Sequence, residues 1–383
     1  MRVCYINPAL LLRRPIAEII SRTAKTGEVG LLIPKPLFKS RDDSLHYSKL
    51  PPNVRILTYS VVQPPGAYEW PIPVTPMFFV QLFRAFMRYD VVHMWAQFYL
   101  VNFFACLFAL LFKTKLILTM DTVAGYSFSA GERYDKLFRL YYRIFGWLIF
   151  GAPTKITLYG RSLIPFARMA GIKMAKVDVI STGIDVKKPG DGNAIRREFG
   201  IKEEKVVLYV GLLVPRKGVE TLIDVVAKLK GENIKVLLVG DGPMRKEYEE
   251  IAQRKGIARK VIFTGFRKDV FNFYAAADVF FFPSRGEGLP GVVMEAMCCG
   301  LPVVTSDIPC IPDLVEDGKN GFLCKLDDNE CLKERLQQLL YNPELRKRVG
   351  SAGVEKIKGF SWEQVIGKYT EMYKSLTQTI SVF

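Results

Sequence analysis

Short apolar runs rich in β-branched residues alternate with longer segments of helical period along most of the chain. This alternation is typical of βαβ units, in which helices join parallel strands and cover both faces of the sheet. A chain of 383 residues is too long for one ordinary core and favours two domains. We therefore predict an α/β protein with two Rossmann-like, doubly wound parallel-sheet domains.

The predicted elements divide near residue 185. Glycine, proline and charged residues interrupt the periodicity over 183–192, before a new strand starts. We place the first domain at 1–185 and begin the second at 186, with the Pro-rich segment 64–76 as a loop of the first domain. Strands are predicted at 3–6, 29–33, 55–58, 91–93, 116–119, 156–158, 206–210, 235–239, 261–263, 279–282 and 302–305, and helices at 217–230, 243–255, 269–277 and 292–299.

The net charge of +16 is concentrated in the first half of the chain. Residues 1–185 contain 23 Lys and Arg against 11 Asp and Glu. A basic domain attracts polyanions, so nucleic acid and an anionic membrane are the candidate partners. The basic residues lie in helical rows among apolar aromatics, and no known nucleic-acid-reading motif is present. We expect contact with an anionic membrane and no nucleic-acid binding.

Two segments are candidates for contact with the membrane. The nearly all-apolar run 98–112 is too short to span a bilayer. Segment 134–150 places Lys136, Arg139 and Arg143 at helical spacing among Leu, Tyr, Phe and Trp, a basic amphipathic pattern. The same pattern also fits a domain helix with one buried face. Because the N-terminal sequence lacks the cleavage site of a secretory signal, we expect a cytoplasmic protein at the inner face of the cell membrane.

Cysteine and histidine usage predicts neither disulfides nor metal. The two histidines, His46 and His93, belong to no Cys/His cluster, so no metal site is expected. The cysteines include no CxxC pair and lack the spacing of a disulfide framework, which favours a reducing compartment. The seven cysteines are Cys4, Cys106, Cys298, Cys299, Cys310, Cys324 and Cys331.

A glycine-rich loop follows the predicted strand 279–282 and leads into the helix predicted at 292–299. Free backbone N–H groups at Gly291, Val292 and Val293, together with the positive end of the helix dipole, would form an anion site suited to a diphosphate. Gly288 and Gly291 allow a ligand to approach the backbone closely. A glycine-rich turn also occurs as a purely structural loop.

Charged residues surround this loop. Glu287 stands in the loop and Glu295 two turns into the helix, so that one carboxylate can accept from sugar hydroxyls and the other from a ribose. Neither carboxylate is favourable beside a phosphate without cations. Arg216 and Lys217, which follow the strand 206–210 and start the predicted helix, would supply that charge and stabilise a leaving diphosphate without a metal ion. A solvated helix start is the alternative for both basic residues.

The order and spacing of these motifs resemble the donor half of retaining glycosyltransferases of family four, the nucleotide-sugar-dependent glycosyl transferases of group 1. The resemblance is strong over 206–325 and extends to 179–185 and 360–362. It implies a GT-B fold with two domains facing a central cleft, in which 186–358 binds the donor and 359–383 is a terminal helix returning to the acceptor-binding domain. It is carried by VGLLVPRKGVETLI, VLLVGDGP, FTGF and YAAADVFFFPSRGEGLPGVVMEAMCCGLPVV.

The resemblance also implies roles for individual residues. Glu287 would contact hydroxyls of the transferred sugar, Glu295 would hold the ribose, and Lys217 would contact the diphosphate. The family transfers sugar with retention of configuration and generally without a metal or other cofactor. Gly265 and Phe266 would lie beside the base, and the remaining donor-binding candidates are Gly211, Gly288, Leu289, Gly291 and Val292.

The sequence departs from the family pattern at three places. Leu212 stands where the family has a phosphate-binding arginine, and we predict that Arg216 substitutes for it. Asp121 stands where the family often has a histidine facing the sugar. It would orient the acceptor hydroxyl or stabilise positive charge at the anomeric carbon, or else cap the next turn. Residues 7–11 replace a glycine-rich loop, and His93 is expected to be buried and hydrogen-bonded.

The main hypothesis is a membrane-associated enzyme that moves a sugar from a nucleotide-diphosphate sugar to a lipid-linked or otherwise membrane-held acceptor. The nearest alternative is a transferase acting on a soluble sugar or sugar phosphate, with the apolar run buried as an ordinary helix. A non-catalytic module that binds nucleotide sugars is a third hypothesis. This hypothesis rests on the departures from the family pattern at Leu212 and Asp121. The presence of Glu287 and Glu295 argues against it.

Overall fold

The computed structural model describes residues 1–37, 50–64, 70–129, 131–229 and 231–378. It divides the chain into two compact units. Unit 1 contains Met1–Gly183 and Trp362–Phe383, and unit 2 contains Ile184–Ser361. His46 and the first part of the Pro-rich segment, 65–69, lie outside the described residues.

Unit 1 is built on a sheet that contains eight strands within the described residues. Its strands are β1 (Arg2–Ile6), β2 (Glu28–Pro36), β3 (Val54–Val62), β4 (Ile72–Pro73), β5 (Val91–Trp95), β6 (Lys115–Met120), β7 (Lys155–Leu158) and β8 (Val177–Val179). The spatial order is β4-β3-β2-β1-β5-β6-β7-β8, and all neighbours pair in parallel except β3 and β4.

The central strands of this sheet are apolar along most of their length because both faces are covered. Along β5, for example, all five residues are buried. The six strands predicted for this half of the chain are confirmed, with ends shifted by a few residues. Two further strands, β4 and β8, were not predicted because two or three residues carry no measurable periodicity.

Helices connect the strands of unit 1. They are α1 (Arg14–Thr23), α2 (Met77–Arg88), α3 (Leu100–Phe112), α4 (Glu132–Ile149) and α5 (Ile164–Met169). The apolar run 98–112 forms α3, and the basic amphipathic segment forms α4. Among the described residues, none of the helices combines the length and the apolar composition that crossing a bilayer requires.

Unit 2 contains a second parallel sheet. Its strands are β9 (Lys205–Val210), β10 (Ile234–Val239), β11 (Val261–Gly265), β12 (Val279–Phe282), β13 (Val303–Ser306) and β14 (Phe322–Cys324). Its helices are α6 (Gly192–Glu198), α7 (Val219–Lys228), α8 (Arg245–Arg254), α9 (Val270–Ala276), α10 (Gly291–Cys298), α11 (Ile311–Leu314), α12 (Asn329–Tyr341) and α13 (Pro343–Lys358). The strand order is β11-β10-β9-β12-β13-β14.

The order of unit 2 reverses between β9 and β12, where the chain moves from one side of the first strand to the other. In sheets of this kind, ligands bind outside the carboxyl ends of the strands at that reversal. The loops that follow β9 and β12 therefore lie beside each other at the ligand-binding edge. All five strands predicted for this half of the chain are confirmed.

The last helix, α14 (Trp362–Gln378), packs against α1 and the sheet of unit 1. Its Tyr373 hydroxyl lies 2.7 Å from Nδ1 of His93, and the Thr119 hydroxyl lies 2.6 Å from Nε2 of the same ring. Burial lowers the pKa of His93 to about 3, so the imidazole is neutral at physiological pH. The prediction of a buried, hydrogen-bonded histidine is confirmed.

One cysteine pair departs from the sequence-based prediction. Cys324 and Cys331 form a disulfide, with their Cα atoms 5.8 Å apart. Cys324 ends β14 and Cys331 lies in the first turn of α12, so the short connection brings the two thiols together. The expectation that the cysteines form no disulfide is therefore wrong for this pair. Elsewhere in the described part of the chain, Cys4, Cys106, Cys298, Cys299 and Cys310 take part in no disulfide.

Candidate active site

The loop after β9 places Arg216 and Lys217 in a short 3-10 turn, Pro215–Lys217, before α7 begins at Val219. The prediction that these two residues start the helix is therefore wrong, since α7 begins two residues later than the predicted start at 217. The reason is Gly218, whose φ of 70° is left-handed and separates the turn from α7. A Cβ at Gly218 would lie 1.8 Å from the Pro283 carbonyl oxygen, so only glycine permits this approach.

The close contact between Gly218 and Pro283 brings the loop after β9 against the loop after β12, and hydrogen bonds join them. The Arg285 N–H donates to the Arg216 carbonyl at 2.8 Å. The Ser284 hydroxyl lies 3.2 Å from the same carbonyl oxygen. The Arg216 guanidinium returns a hydrogen bond to the Gly286 carbonyl. Hydrogen bonds to backbone carbonyls thus hold the two loops together, which fixes the positions of the charged side chains that they carry.

Those side chains meet at Glu287. Nζ of Lys217 lies 2.7 Å from Oε1 and 2.9 Å from Oε2 of Glu287. Nη1 of Arg216 lies 3.3 Å from Oε1, and the Ser284 hydroxyl donates to Oε1 at 2.6 Å. The side chain of Glu287 is 9% exposed and that of Lys217 is 15% exposed, whereas Arg216 is 42% exposed.

The two basic side chains offset the repulsion between the Glu287 carboxylate and a diphosphate bound beside it. Two cations face one carboxylate, so the cluster retains a net positive charge. A charge of this sign in a partly water-excluded place stabilises a developing anion more strongly than it would in bulk water. The Glu287 carboxylate is at the same time held in one orientation by partners on both oxygens.

The first turn of α10 offers backbone donors next to this cluster. Pro290 is the N-cap residue and supplies no side-chain cap. Within the described residues, the N–H groups of Gly291 and Val292 have no protein acceptor. The Val293 N–H donates to the Pro290 carbonyl at 3.2 Å, so the prediction that it is free is wrong. This i to i−3 bond tightens the first turn and leaves two donors for an anion.

Glu295 lies on α10, half-buried, and is held by a residue of the preceding helix. The Tyr274 hydroxyl lies 3.0 Å from Oε2 of Glu295 and 3.2 Å from the Val292 carbonyl oxygen. Burial, with a further contribution from Glu295, raises the pKa of Tyr274 well above its ordinary value, so the phenol remains protonated and can donate. Tyr274 therefore orients the Glu295 carboxylate.

The other predicted donor-binding residues lie at the carboxyl ends of neighbouring strands. Gly211 follows β9, and its N–H donates to the Val239 carbonyl at 2.9 Å. Gly265 ends β11 with a left-handed φ of 73°, and it directs Phe266 outward, 75% exposed. Leu212 is 54% exposed at the same edge. Of the loop residues, Gly288 and Leu289 are half-buried, and Leu289 packs against the core of unit 2.

Asp121 lies in unit 1, at the carboxyl end of β6. Oδ2 of Asp121 lies 3.0 Å from Nη1 of Arg13, and the Thr122 hydroxyl is 3.4 Å from Oδ1. The Asp121 side chain is partly exposed, and its carboxylate raises the pKa of Arg13. The aspartate thus belongs to an ion pair at the ligand-binding edge of the first sheet.

Unit 2 matches a known protein family. Residues 191–356 match the family of glycosyl transferases group 1. Unit 2 carries a glycosyl transferases group 1 domain. The D-inositol 3-phosphate glycosyltransferase of Corynebacterium efficiens is 33% identical over 53% of this chain and 51% of its own length. The lipopolysaccharide core biosynthesis glycosyltransferase LpsE of Rhizobium meliloti is 34% identical over 44% of this chain and 50% of its own length.

The chain spans about half the length of these two curated relatives. Solved structures extend the likeness to the whole fold. HepE of Anabaena in complex with UDP superposes with a TM-score of 0.81 and 19% identity, over 98% of this chain and 100% of that one. With two α/β units built on parallel sheets, the chain has the GT-B fold, as the sequence predicted.

Three residues around the candidate site were not found from the sequence. Ser284 and Tyr274 hold the two glutamates of the group 1 domain, and Arg13 pairs with Asp121 in unit 1. Ser284 carried a weak signal because it stands three residues before Glu287 in the same loop. Tyr274 and Arg13 carried none, since each meets its carboxylate only through packing of distant segments.

The group 1 domain shows no preformed metal cage in the described part of the chain. Among those residues, no group of three or more His, Cys, Asp or Glu is placed to hold an ion. Lys217, Arg216 and the first turn of α10 are instead the positive groups that face the loop carrying Glu287.

Proposed function

We propose that the chain is a glycosyltransferase that takes a sugar from a nucleotide-diphosphate sugar and transfers it to a lipid-linked or otherwise membrane-held acceptor. The observation that carries the proposal is the cluster in which Lys217 and Arg216 hold Glu287 beside the first turn of α10. This cluster combines a carboxylate for sugar hydroxyls with positive groups for a diphosphate. The match to glycosyl transferases group 1 supports the same activity.

In the proposed donor complex, the diphosphate accepts hydrogen bonds from the N–H groups of Gly291 and Val292 and from the Lys217 ammonium. Glu287 accepts from hydroxyls of the transferred sugar, and Glu295 accepts from the ribose. Phe266 stacks on the base. UDP-sugars are the first donors to test, because HepE of Anabaena, which has the same fold, was crystallised with UDP-glucose.

We further propose that transfer retains the anomeric configuration and proceeds without a metal. The leaving diphosphate develops negative charge, which Lys217, Arg216 and the dipole of α10 stabilise in place of an ion. Attack then occurs on the face from which the diphosphate leaves, and Asp121 orients the acceptor hydroxyl. We place this proposed enzyme in the cytoplasm, at the inner face of the cell membrane.

The membrane-held acceptor is supported by the surface of unit 1. α2, α3 and α4 pack side by side and expose large apolar side chains that include Phe83, Leu111 and Trp147. Exposed Arg and Lys residues accompany them on α2 and α4. An apolar surface bordered by basic residues suits a bilayer with anionic lipids. One relative, LpsE, is named as a lipopolysaccharide core biosynthesis glycosyltransferase, which supports an acceptor of this class.

A soluble acceptor is the second candidate. It is favoured by the relatives named as D-inositol 3-phosphate glycosyltransferases, whose acceptor is a sugar-like phosphate. Under this alternative, the apolar surface of unit 1 would have another purpose, and added lipid would not stimulate the reaction.

The experiment is nucleoside-diphosphate release by the purified full chain from a panel of nucleotide sugars, in chelator, with and without a membrane lipid extract. Lipid-dependent release from one donor that is lost in Glu287→Gln supports the proposal. Release stimulated only by soluble sugars or sugar phosphates favours the second candidate, a transferase with a soluble acceptor. Tight donor binding without release under any condition contradicts an enzyme and favours a binding module.

A further inference from the structure

Unit 1 contains a cavity of about 460 Å³ between α3, α4 and the short strand β4. Its volume is within the range of sites that bind small organic ligands. No charged side chain lines it, and its walls are aliphatic or aromatic, with Ile72, Leu100, Phe103, Leu137, Phe138 and Phe145 among them. The ring centroids of Phe103 and Phe145 are 5.4 Å apart, so the two helices meet through aromatic contact beside the cavity.

The chemistry of these walls restricts the occupant. A sugar or a nucleotide would leave its hydroxyls or phosphates without partners, which is costly in an apolar site. The Tyr141 hydroxyl, one of the few polar groups in the wall, already donates to the Gln97 carbonyl at 3.3 Å. Hydrocarbon is the ligand that gains free energy from such walls without needing hydrogen bonds.

The cavity opens onto the exposed apolar surface of unit 1. Leu137 belongs to its wall and is 49% exposed, and Leu140, Ile144 and Trp147 continue the same stripe along α4 at helical spacing. A chain can therefore pass from a lipid layer into the cavity without crossing water. The exposed basic residues of α4 would face one another if two copies met through this stripe, which disfavours a second copy of the chain as the occupant.

Part of the cavity wall is connected to the ion pair of Arg13 and Asp121. Tyr99 lies in the wall and is close enough to the Arg13 guanidinium to add to the rise in its pKa. Tyr141 of the wall donates to the Gln97 carbonyl, and the Gln97 amide donates to the Thr122 carbonyl at 3.3 Å, so hydrogen bonds join the wall to the residue after Asp121. A lipid chain in the cavity would thus bring an anionic head group toward Arg13 at the carboxyl edge of the sheet.

We propose that this cavity binds the hydrocarbon chain of the membrane-held acceptor and so positions its head group beside Arg13 and Asp121. The proposal rests on the proposed function for the identity of the lipid, but the cavity itself binds an anionic amphiphile whether or not a donor is present. Affinity then depends on chain length. Each added methylene tightens binding between about two- and fourfold until the chain fills the cavity.

The test measures binding of cis-parinaric acid, a fluorescent fatty acid, to the full chain, and its displacement by octyl, decyl and dodecyl phosphate. Leu137→Trp fills the cavity from its wall. Leu140→Trp is the matched control, because Leu140 lies on the same helix, is 51% exposed, and does not line the cavity. Both positions tolerate a larger side chain since each is about half exposed. Flotation with anionic phosphatidylglycerol vesicles measures membrane contact separately.

The proposal predicts saturable binding that tightens from octyl to dodecyl phosphate, weakens at least tenfold in Leu137→Trp, and stays within twofold in Leu140→Trp, while both variants float with vesicles alike. Equal binding by the two variants overturns it. A concentration-dependent dimer that Leu137→Trp disperses also overturns it, in favour of a second copy. If the probe binds as predicted but no donor is turned over, the proposed function fails and the cavity assignment stands.

Discussion

The ammonium of Lys217 lies within hydrogen-bonding distance of both carboxylate oxygens of Glu287, at 2.7 and 2.9 Å, across 70 residues of sequence. Two features make this contact possible. Gly218 allows the loop after β9 to approach the loop after β12, and hydrogen bonds to the backbone carbonyls of Arg216 and Gly286 fix their relative position. The charged groups of the candidate site are therefore in position before any ligand binds.

Replacing Glu287 with Gln should reduce turnover about ten- to hundredfold, since hydrogen bonds to the charged carboxylate contribute about 1.5–3 kcal/mol each and the neutral amide accepts more weakly from the sugar hydroxyls, with the loss largest in the transition state. Nucleoside-diphosphate release at saturating donor measures the effect. Glu330→Gln is the control, because Glu330 likewise pairs with two basic side chains, those of Lys228 and Lys333, but lies on α12. Equal activity of the Glu287 variant and the control would exclude a catalytic role for Glu287.

Lys217→Met and Arg216→Met should differ in effect. Lys217 is mostly buried and contacts both oxygens of Glu287, whereas Arg216 is 42% exposed and 3.3 Å from one oxygen. We expect turnover to fall about ten- to hundredfold for Lys217→Met and less than about fivefold for Arg216→Met. Steady-state kinetics with one donor compare the two. A larger loss for Arg216→Met would indicate that Arg216 takes the place of the arginine missing at Leu212.

Tyr274→Phe should raise the KM for the donor about three- to tenfold and leave kcat within about twofold. The variant removes the hydroxyl that orients the Glu295 carboxylate and retains the buried ring. Tyr248→Phe is a matched control, since Tyr248 is equally buried in unit 2 and lies on α8. A fall in kcat without a change in KM would contradict ribose binding by Glu295.

Phe266→Ala should weaken donor binding by about 1–3 kcal/mol, the usual contribution of stacking a base on an aromatic ring. Phe266→Tyr retains the ring and should bind the donor within about twofold of the original. Calorimetric titration with the nucleoside diphosphate checks both variants. An unchanged affinity of Phe266→Ala would place the base elsewhere on unit 2.

The imidazole of His93 should remain neutral down to about pH 4, because burial lowers its pKa to about 3. Below about pH 6.5 the unfolded chain therefore binds more protons than the folded chain. Above that pH, burial of the neutral imidazole carries no protonation penalty. Below it, the free energy of unfolding falls by up to about 1.4 kcal/mol for each pH unit of acidification. Nitrogen NMR of the two histidines, assigned with His93→Gln, follows the titration. A His93 signal that titrates near pH 6.5 would contradict burial.

The sequence predicted what depends on neighbours along the chain. Strand positions in both halves follow from apolar runs, and the loop from Ser284 to Gly291 follows from its composition and place after a strand. Contacts that depend on packing were missed. Tyr274 meets Glu295 across 21 residues and Arg13 meets Asp121 across 108, and no local pattern encodes either distance.

Two corrections have the same origin. Val293 was expected to offer a free N–H, but the tight first turn of α10 directs it to the Pro290 carbonyl. Cys324 and Cys331 were not expected to pair, since the spacing of two cysteines does not reveal that a strand end and a helix start lie together. Residue spacing encodes neither the tight first turn nor the approach of the strand end to the helix start.

Transfer of radiolabelled sugar from its nucleotide donor to a membrane lipid extract, measured in chelator with the full chain and with Glu287→Gln, tests the proposed activity most directly. We predict label in the organic phase that depends on both lipid and protein and falls about ten- to hundredfold in the variant. Label that stays in water as free sugar or in a soluble product would contradict a lipid acceptor, and equal transfer by Glu287→Gln would contradict the assigned site.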